Sequence, residues 1–171
     1  LAILETAKRI VGERVFNIVG GHHPTLCPEE FQSSAVDAIC IGEGEETFRE
    51  LTEHLARGGD RHALGAIAGL AHREAAGRYM KTPKRAQKRA LDDFPPPARH
   101  LVARYQHEYF FTIAGPMASI VTSRGCSFDC NFCAIWEFYE RKTRFLSARA
   151  MVDRMEEVSQ RFVFFLDDNF L

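Results

Sequence analysis

The stretch SRGCSFDCNFCAIW holds three of the chain's five cysteines, at Cys126, Cys130 and Cys133. A Cys-x3-Cys-x2-Cys loop can bring three thiolates round one face of a compact metal centre. Structural zinc usually takes four ligands, and disulfides consume cysteines in pairs. Three thiolates suit a 4Fe-4S cluster in which three irons are held by protein and a fourth stays open to a small molecule. Zinc held by three cysteines and a histidine is the alternative. However, no histidine follows Cys133, and the nearest preceding ones are His107 and His100. Thiols clustered there without a metal would be prone to oxidation. Cys27 and Cys40 stand apart from the triplet and from each other, a usage that suits a reducing cytoplasm better than an oxidised scaffold.

The elements around the loop are those that place ligands at strand ends. ASIVTSRG reads as a strand of small and β-branched residues that enters the cysteine loop. SARAMVDRMEEVSQR reads as a helix with Ser147 as its N-cap and Ala148, Met151, Val152, Met155 and Val158 on one face. FVFFLDD is a nearly continuous apolar run of the kind buried on both faces of a parallel sheet. Together they predict an opening βαβ unit with its cysteines just past the carboxyl end of the first strand.

The first half repeats a related design. Residues 1–13 carry a helical stripe of Leu1, Leu4, Ala7, Ile10 and Val11. RVFNIVGG runs from a strand into Gly20 and Gly21, and VDAICIGEGE runs into Gly42, Glu43, Gly44 and Glu45. ETFRELTEHLARGG is a helix closed by glycines, and GLAHRE with GRYMKT predicts a hairpin turning at Ala75, Ala76 and Gly77. This order argues for a parallel α/β sheet. A glycine pair after a buried strand removes Cβ atoms where something flat or phosphorylated must come close. KTPKRAQKRA is then a basic run read as a solvated connector, and the three consecutive prolines of LDDFPPPARH hold the chain extended. The predicted division is 1–80, a connector over 81–116, and a second domain over 117–171.

Composition excludes other classes. A net charge of -1 gives no general attraction to nucleic acid or to an acidic membrane, and no apolar run is long enough to span a bilayer. The chain opens at Leu1 inside a helical pattern and stops at FVFFLDDNFL, so the expectation is an internal piece of a longer protein.

TSRGCSFDCNFC resembles the cluster loop of the radical S-adenosylmethionine enzymes, with Phe132 at the family's aromatic position. The resemblance implies a 4Fe-4S cluster on the three cysteines, whose unique iron is chelated by S-adenosylmethionine. Reductive cleavage there yields a 5'-deoxyadenosyl radical, the electron coming from a donor such as flavodoxin or ferredoxin. Asp167 and Asp168 match the position that contacts the amine of S-adenosylmethionine in that family. The alternative reading of these two is that they cap a strand-to-loop turn. VGGHHPTLCPEE, VDAICIGEGEETFREL and LDDFPPPAR resemble, in order and spacing, the cobalamin-binding subgroup. The fold implied is α/β, an incomplete Rossmann-like cobalamin-binding domain followed by the start of a radical S-adenosylmethionine partial (β/α) barrel.

Cobalamin contacts are then expected at Gly20, Gly21 and the Gly42-Glu43-Gly44-Glu45 turn, facing the cysteine loop. The implied activity is methyl transfer to an unactivated carbon or a ring cyclisation, on a tetrapyrrole, hopanoid or other secondary metabolite. His22 and Ser127 stand where the subgroup more often has proline, and no cobalt-ligating role is read into His22 or His23. By itself the chain is expected to bind either cofactor weakly and not to turn over. A non-catalytic Rossmann-like binding module with a structural zinc or iron-sulfur site is the competing expectation.

Overall fold

The computed structural model describes residues 1–113 and 115–170; Ala114 of the predicted connector and Leu171 of the predicted second domain lie outside the described residues. The chain divides into two units, Leu1–Gln87 and Lys88–Leu171.

In the first unit α1 (Ala2–Val11) leads to β1 (Ile18–Val19), α2 (His22–Leu26), β2 (Ala38–Cys40), α3 (Glu45–Ala56), β3 (Leu70–Arg73) and β4 (Tyr79–Lys81). β1 and β2 run parallel, with Ile18 opposite Ala38 and Val19 opposite Ile39. The hairpin β3–β4 then extends this parallel pair in the antiparallel sense, giving the order β1-β2-β3-β4. The sheet is therefore mixed, where the strand pattern had suggested parallel pairing. A connection as short as Glu74–Arg78 can only reverse the chain, and Gly77 turns it at a φ of 82°.

Strand alternation assigns the two faces. Ala38 and Leu70 bury one face with Leu51 of α3, Leu64 and Ile67. Ile39 and Ala71 bury the other with Val36, and Leu4 of α1 packs there. The predicted stripe of α1 is covered only in part, because Ile10 remains 74% exposed. The basic run is not a bare connector. Arg85 forms an ion pair with Glu50 of α3 and donates to the Thr47 hydroxyl at 2.8 Å, which fixes the chain after β4 against the helix.

The second unit contains β5 (Met117–Ile120), β6 (Ser123–Arg124), α4 (Ile135–Phe138), β7 (Arg144–Phe145), α5 (Ala148–Glu156) and β8 (Phe162–Phe165). β5 and β8 pair in parallel from Met117↔Phe162 to Ile120↔Phe165, so β5, α5 and β8 form the expected βαβ unit. FNIV and ASIV contribute to different sheets. Ser147 caps α5 by accepting from the Ala150 amide at 3.1 Å.

Two expectations fail here. The small core is Leu91, Phe94 and Leu146 with Ala150, so α5 packs through Ala150 rather than through the predicted stripe, whose Val152 and Met155 are exposed. Leu91 and Phe94 also show that the proline-rich segment supplies core to this unit. β8 is not buried on both faces, since Phe162 and Phe164 are exposed; among the described residues its one strand neighbour is β5, in parallel.

Asp37 is a hub of polar contacts in the first unit. Its buried carboxylate accepts from the Asn17 amide at 2.7 Å and pairs with Lys8 at 2.9 Å, Arg61 at 3.0 Å and Arg73 at 3.4 Å. Burial alone would raise its pKa, but the Asn17 amide, Lys8 and Arg61 outweigh burial and hold it below the ordinary carboxylate value. A depressed folded pKa gives stability that is present above the unfolded value of about 4 and lost as pH falls through the folded one. Burial also lowers the pKa of His72, so protonation of His72 opposes folding from below about pH 6.5. Asp37→Asn is expected to cost about 3 kcal/mol at neutral pH by leaving three cations without their partner. The same substitution should flatten the acid limb of the melting-temperature profile below about pH 4 while leaving the His72 limb unchanged. Thermal melts followed by circular dichroism from about pH 3 to about pH 8 check both effects.

Candidate cofactor sites

In the first unit two glycine turns follow the carboxyl ends of the parallel strands β1 and β2. Gly20 is packed: a Cβ on it would lie 3.2 Å from Cys40 Cβ, and one on Gly44 would lie 3.2 Å from Cys40 Sγ. Gly21 and Gly42 differ. They have φ of 110° and 83°, and a Cβ on either would meet nothing within 4 Å. The two turns therefore present open backbone over a closely packed floor. Thr25 joins them, donating its amide to the Gly21 carbonyl at 3.1 Å and accepting from the Gly42 amide at 3.0 Å. Gly44 precedes α3 and accepts from the Phe48 amide at 2.7 Å; Glu43 is half-buried and Glu45 is exposed. Open backbone at two neighbouring strand ends fits a large, flat ligand such as cobalamin.

The floor of these turns is a thiol of a different kind from those of the loop. Burial raises the Cys40 pKa, with the Glu45 carboxylate adding to the rise, so Cys40 stays a neutral packing residue.

In the second unit β6 opens directly into the cysteine loop. Cys126 and Cys133 are half-buried, Cys130 is exposed, and all three are free thiols. The Cys133 amide donates to the Cys130 carbonyl at 3.0 Å, and the Trp136 indole N–H donates to the same carbonyl at 3.1 Å. Phe132 projects outward, 88% exposed. The donor set, three accessible thiols on one short loop, fits a cluster with one iron left for a non-protein ligand.

The end of β8 grips the entry of this loop. Asp167 Oδ1 accepts from the Thr122 and Ser123 amides, each at 2.6 Å, and Oδ2 accepts from the Thr122 hydroxyl at 2.6 Å. Asp168 Oδ2 accepts from the Gly125 amide at 2.7 Å. The Asn169 side chain donates to Cys126 Sγ at 3.7 Å. The geometry thus gives both aspartates the turn-capping role. Thr25, Thr122, Trp136 and Asn169 were not singled out in the sequence. No local pattern marks them, because folding alone brings Thr25 to Gly42 and Asn169 to Cys126.

An α/β unit with open glycine turns, and a thiol loop at the end of a parallel βαβ unit, define a cofactor-binding protein. A family model described as "B12 binding domain" matches residues 1–52, which contain both glycine turns. The hopanoid C-3 methylase of Methylococcus capsulatus is 31% identical over 97% of this chain and 31% of its own length. The anaerobic magnesium-protoporphyrin IX monomethyl ester cyclase of Rubrivivax gelatinosus is 26% identical over 90% of the chain and 27% of its own length. Among solved structures, the radical S-adenosylmethionine methyltransferase TsrM of Kitasatospora setae matches 99% of the chain and 32% of its own at a TM-score of 0.68 and 18% identity. The cobalamin-dependent S-adenosylmethionine radical enzyme OxsB, bound to aqua-cobalamin and S-adenosylmethionine, matches 99% of the chain and 23% of its own at 0.68 and 19%. Along nearly its whole length the chain resembles the cobalamin-binding radical S-adenosylmethionine enzymes, with the B12-binding match confined to residues 1–52. It spans under a third of the length of these two curated relatives.

Gly125 is the residue on which the loop entry turns. Its φ is 91°, and a Cβ there would fall 2.1 Å from the Lys142 carbonyl oxygen and 3.0 Å from Tyr139 Cβ. Backbone cannot yield as a flexible side chain can. Gly125→Ala is expected to destabilise the second unit by about 1–3 kcal/mol through strain and overpacking. A lower melting temperature than the parent's, followed by circular dichroism, is the expected outcome.

Proposed function

We propose that this chain serves a cobalamin-dependent radical S-adenosylmethionine enzyme that transfers a methyl group to an unactivated carbon of a ring-bearing small molecule. The observation that carries this reading is the coupling, in one chain, of a B12-binding match over the glycine turns to three free thiols at a parallel strand end. The hopanoid methylase supports methyl transfer and an isoprenoid-like substrate. The magnesium-protoporphyrin ester cyclase supports a second reading, ring cyclisation of a tetrapyrrole.

Each site is assigned to residues of this chain. Cys126, Cys130 and Cys133 hold the 4Fe-4S cluster, leaving one iron for S-adenosylmethionine. When bound and reduced, by a flavodoxin- or ferredoxin-type donor, the cluster supplies the electron that cleaves the sulfonium. Gly21 and Gly42 let cobalamin approach the backbone, and cobalamin supplies the methyl group. Glu43 and Glu45 flank that turn, Gly20 and Gly44 support it from beneath, and Thr25 keeps the two turns in register. Phe132 stands exposed beside the thiols as an apolar wall. Asp167 and Asp168 set the height of the loop above the strand ends and would also contact the amine of S-adenosylmethionine.

Anaerobic reconstitution with iron and sulfide tests the cluster assignment. Cys126→Ala, Cys130→Ala and Cys133→Ala should each lose most of the bound iron, and Cys27→Ala should keep it. Full iron content in Cys130→Ala sinks the assignment. A chain that takes up zinc but no iron favours the non-catalytic module instead. For the cobalamin turn, Gly21→Val in the full-length protein should weaken cobalamin binding roughly tenfold or more, through about 1–3 kcal/mol of steric cost. Spectral titration reads the affinity, with circular dichroism as the check on folding, since a branched residue is also strained at that positive φ.

A further inference from the structure

We propose that Asn169 is a positioning residue for the iron-sulfur site: its side-chain amide donates to the Cys126 sulfur, fixing that thiolate's orientation and drawing electron density from it. The proposal rests on the reading of Cys126, Cys130 and Cys133 as iron ligands.

Three consecutive residues at the end of β8 each address a different part of the loop entry. Asp167 takes the Thr122 and Ser123 amides, Asp168 takes the Gly125 amide, and Asn169 reaches Cys126 Sγ at 3.7 Å. The chemistry of the three side chains matches their targets. The two acceptor-only carboxylates face amide donors, and the one side chain with N–H donors faces sulfur. An aspartate at 169 would instead set a negative charge against a thiolate. Trp136 addresses Cys130 through its carbonyl oxygen, whereas Asn169 addresses a ligating atom. Because Asp167 and Asp168 anchor the preceding backbone, Asn169 has a fixed base from which to hold its contact. Hydrogen bonds to ligand sulfurs help set the potential of iron-sulfur clusters and orient their ligands. The amide at 169 therefore stabilises the reduced, more negative cluster and raises its midpoint potential.

The test compares full-length wild type with Asn169→Leu, Asn169→Asp and Asn169→Gln after anaerobic reconstitution. Iron is counted in each, and the midpoint is read by dye-mediated titration of the reduced-cluster resonance. Expected is unchanged iron in Asn169→Leu with a more negative midpoint, a further negative shift in Asn169→Asp, and a midpoint nearer wild type in Asn169→Gln. A wild-type midpoint in an iron-replete Asn169→Leu protein overturns the proposal. Iron lost in Asn169→Leu and regained in Asn169→Gln supports the contact; iron lost equally in both overturns it. A wild-type protein that holds no iron refutes the cluster reading itself, a result distinct from any failure at Asn169.

Discussion

A parallel strand pair leaves backbone donors unmatched where its ladder stops, and in each unit one aspartate carboxylate takes them. Asp37, just before β2, accepts the Asn17 amide just before β1, at the amino end of that pair. Asp167, just after β8, accepts the Thr122 and Ser123 amides just after β5, at the carboxyl end of the other. An amide left buried without a partner costs about 1–3 kcal/mol, so each carboxylate extends its strand pair beyond the last ladder bond. The two are balanced differently. Asp37 sits among Lys8, Arg61 and Arg73, so its charge is neutralised by cations drawn from α1, the loop before β3, and β3 itself. Asp167 is held by neutral donors, two amides and a hydroxyl, and these contacts leave its negative charge uncompensated.

That difference follows from what each end has to do. The amino end of the β1–β2 pair has only to hold the sheet to its helix, and a buried charge cluster there fixes α1 and β3 in register with the strands. The carboxyl end of the β5–β8 pair has to present a loop with defined geometry. Thr122, Ser123 and Gly125 are tied at short distances, and the first thiol follows at once. A loop restrained at its entry and again at the Cys130 carbonyl can offer three thiols without first ordering several residues, each of which would cost about 1–2 kcal/mol of backbone entropy.

Much of this arrangement was legible in the residues and some was not. The strand-turn-helix order, the hairpin around Gly77, the Ser147 cap and the βαβ unit all follow from local rules that act over a few residues. The failures share a cause: periodicity says which face of an element is apolar, not whether a neighbour covers it. Ile10 of α1, Val152 and Met155 of α5, and Phe162 and Phe164 of β8 all read as core and are exposed. Long-range polar contacts were equally hidden. Arg85 belongs to a run that looks like a solvated connector, yet it reaches back to Glu50, and nothing local announces that pairing. Asp37 did carry a signal, since a carboxylate inside the apolar run VDAIC must find a partner when buried. In the candidate sites the motif residues were visible and their supports were not. Glycines and cysteines are recognised by type and spacing, whereas Thr25 and Asn169 matter only through atoms that folding brings near.

The five cysteines show how position decides chemistry for one side chain. Cys40 lies beneath both glycine turns, with so little space that a Cβ on Gly20 or Gly44 would press on it. Burial and the nearby Glu45 raise its pKa, and a protonated, enclosed thiol neither ligates a metal nor attacks a substrate. Its value is volume: it fills the floor so that the backbone at Gly21 and Gly42 stands open above it. Cys126, Cys130 and Cys133 occupy a different setting, on a loop past a strand end, with Cys130 exposed and the other two half-buried. Enclosing them would protect the thiols but, for the proposed cluster, would also close the side from which a fourth ligand approaches. On the proposed reading, the same residue type serves as filler where the backbone meets a ligand, and as ligand where the side chain does.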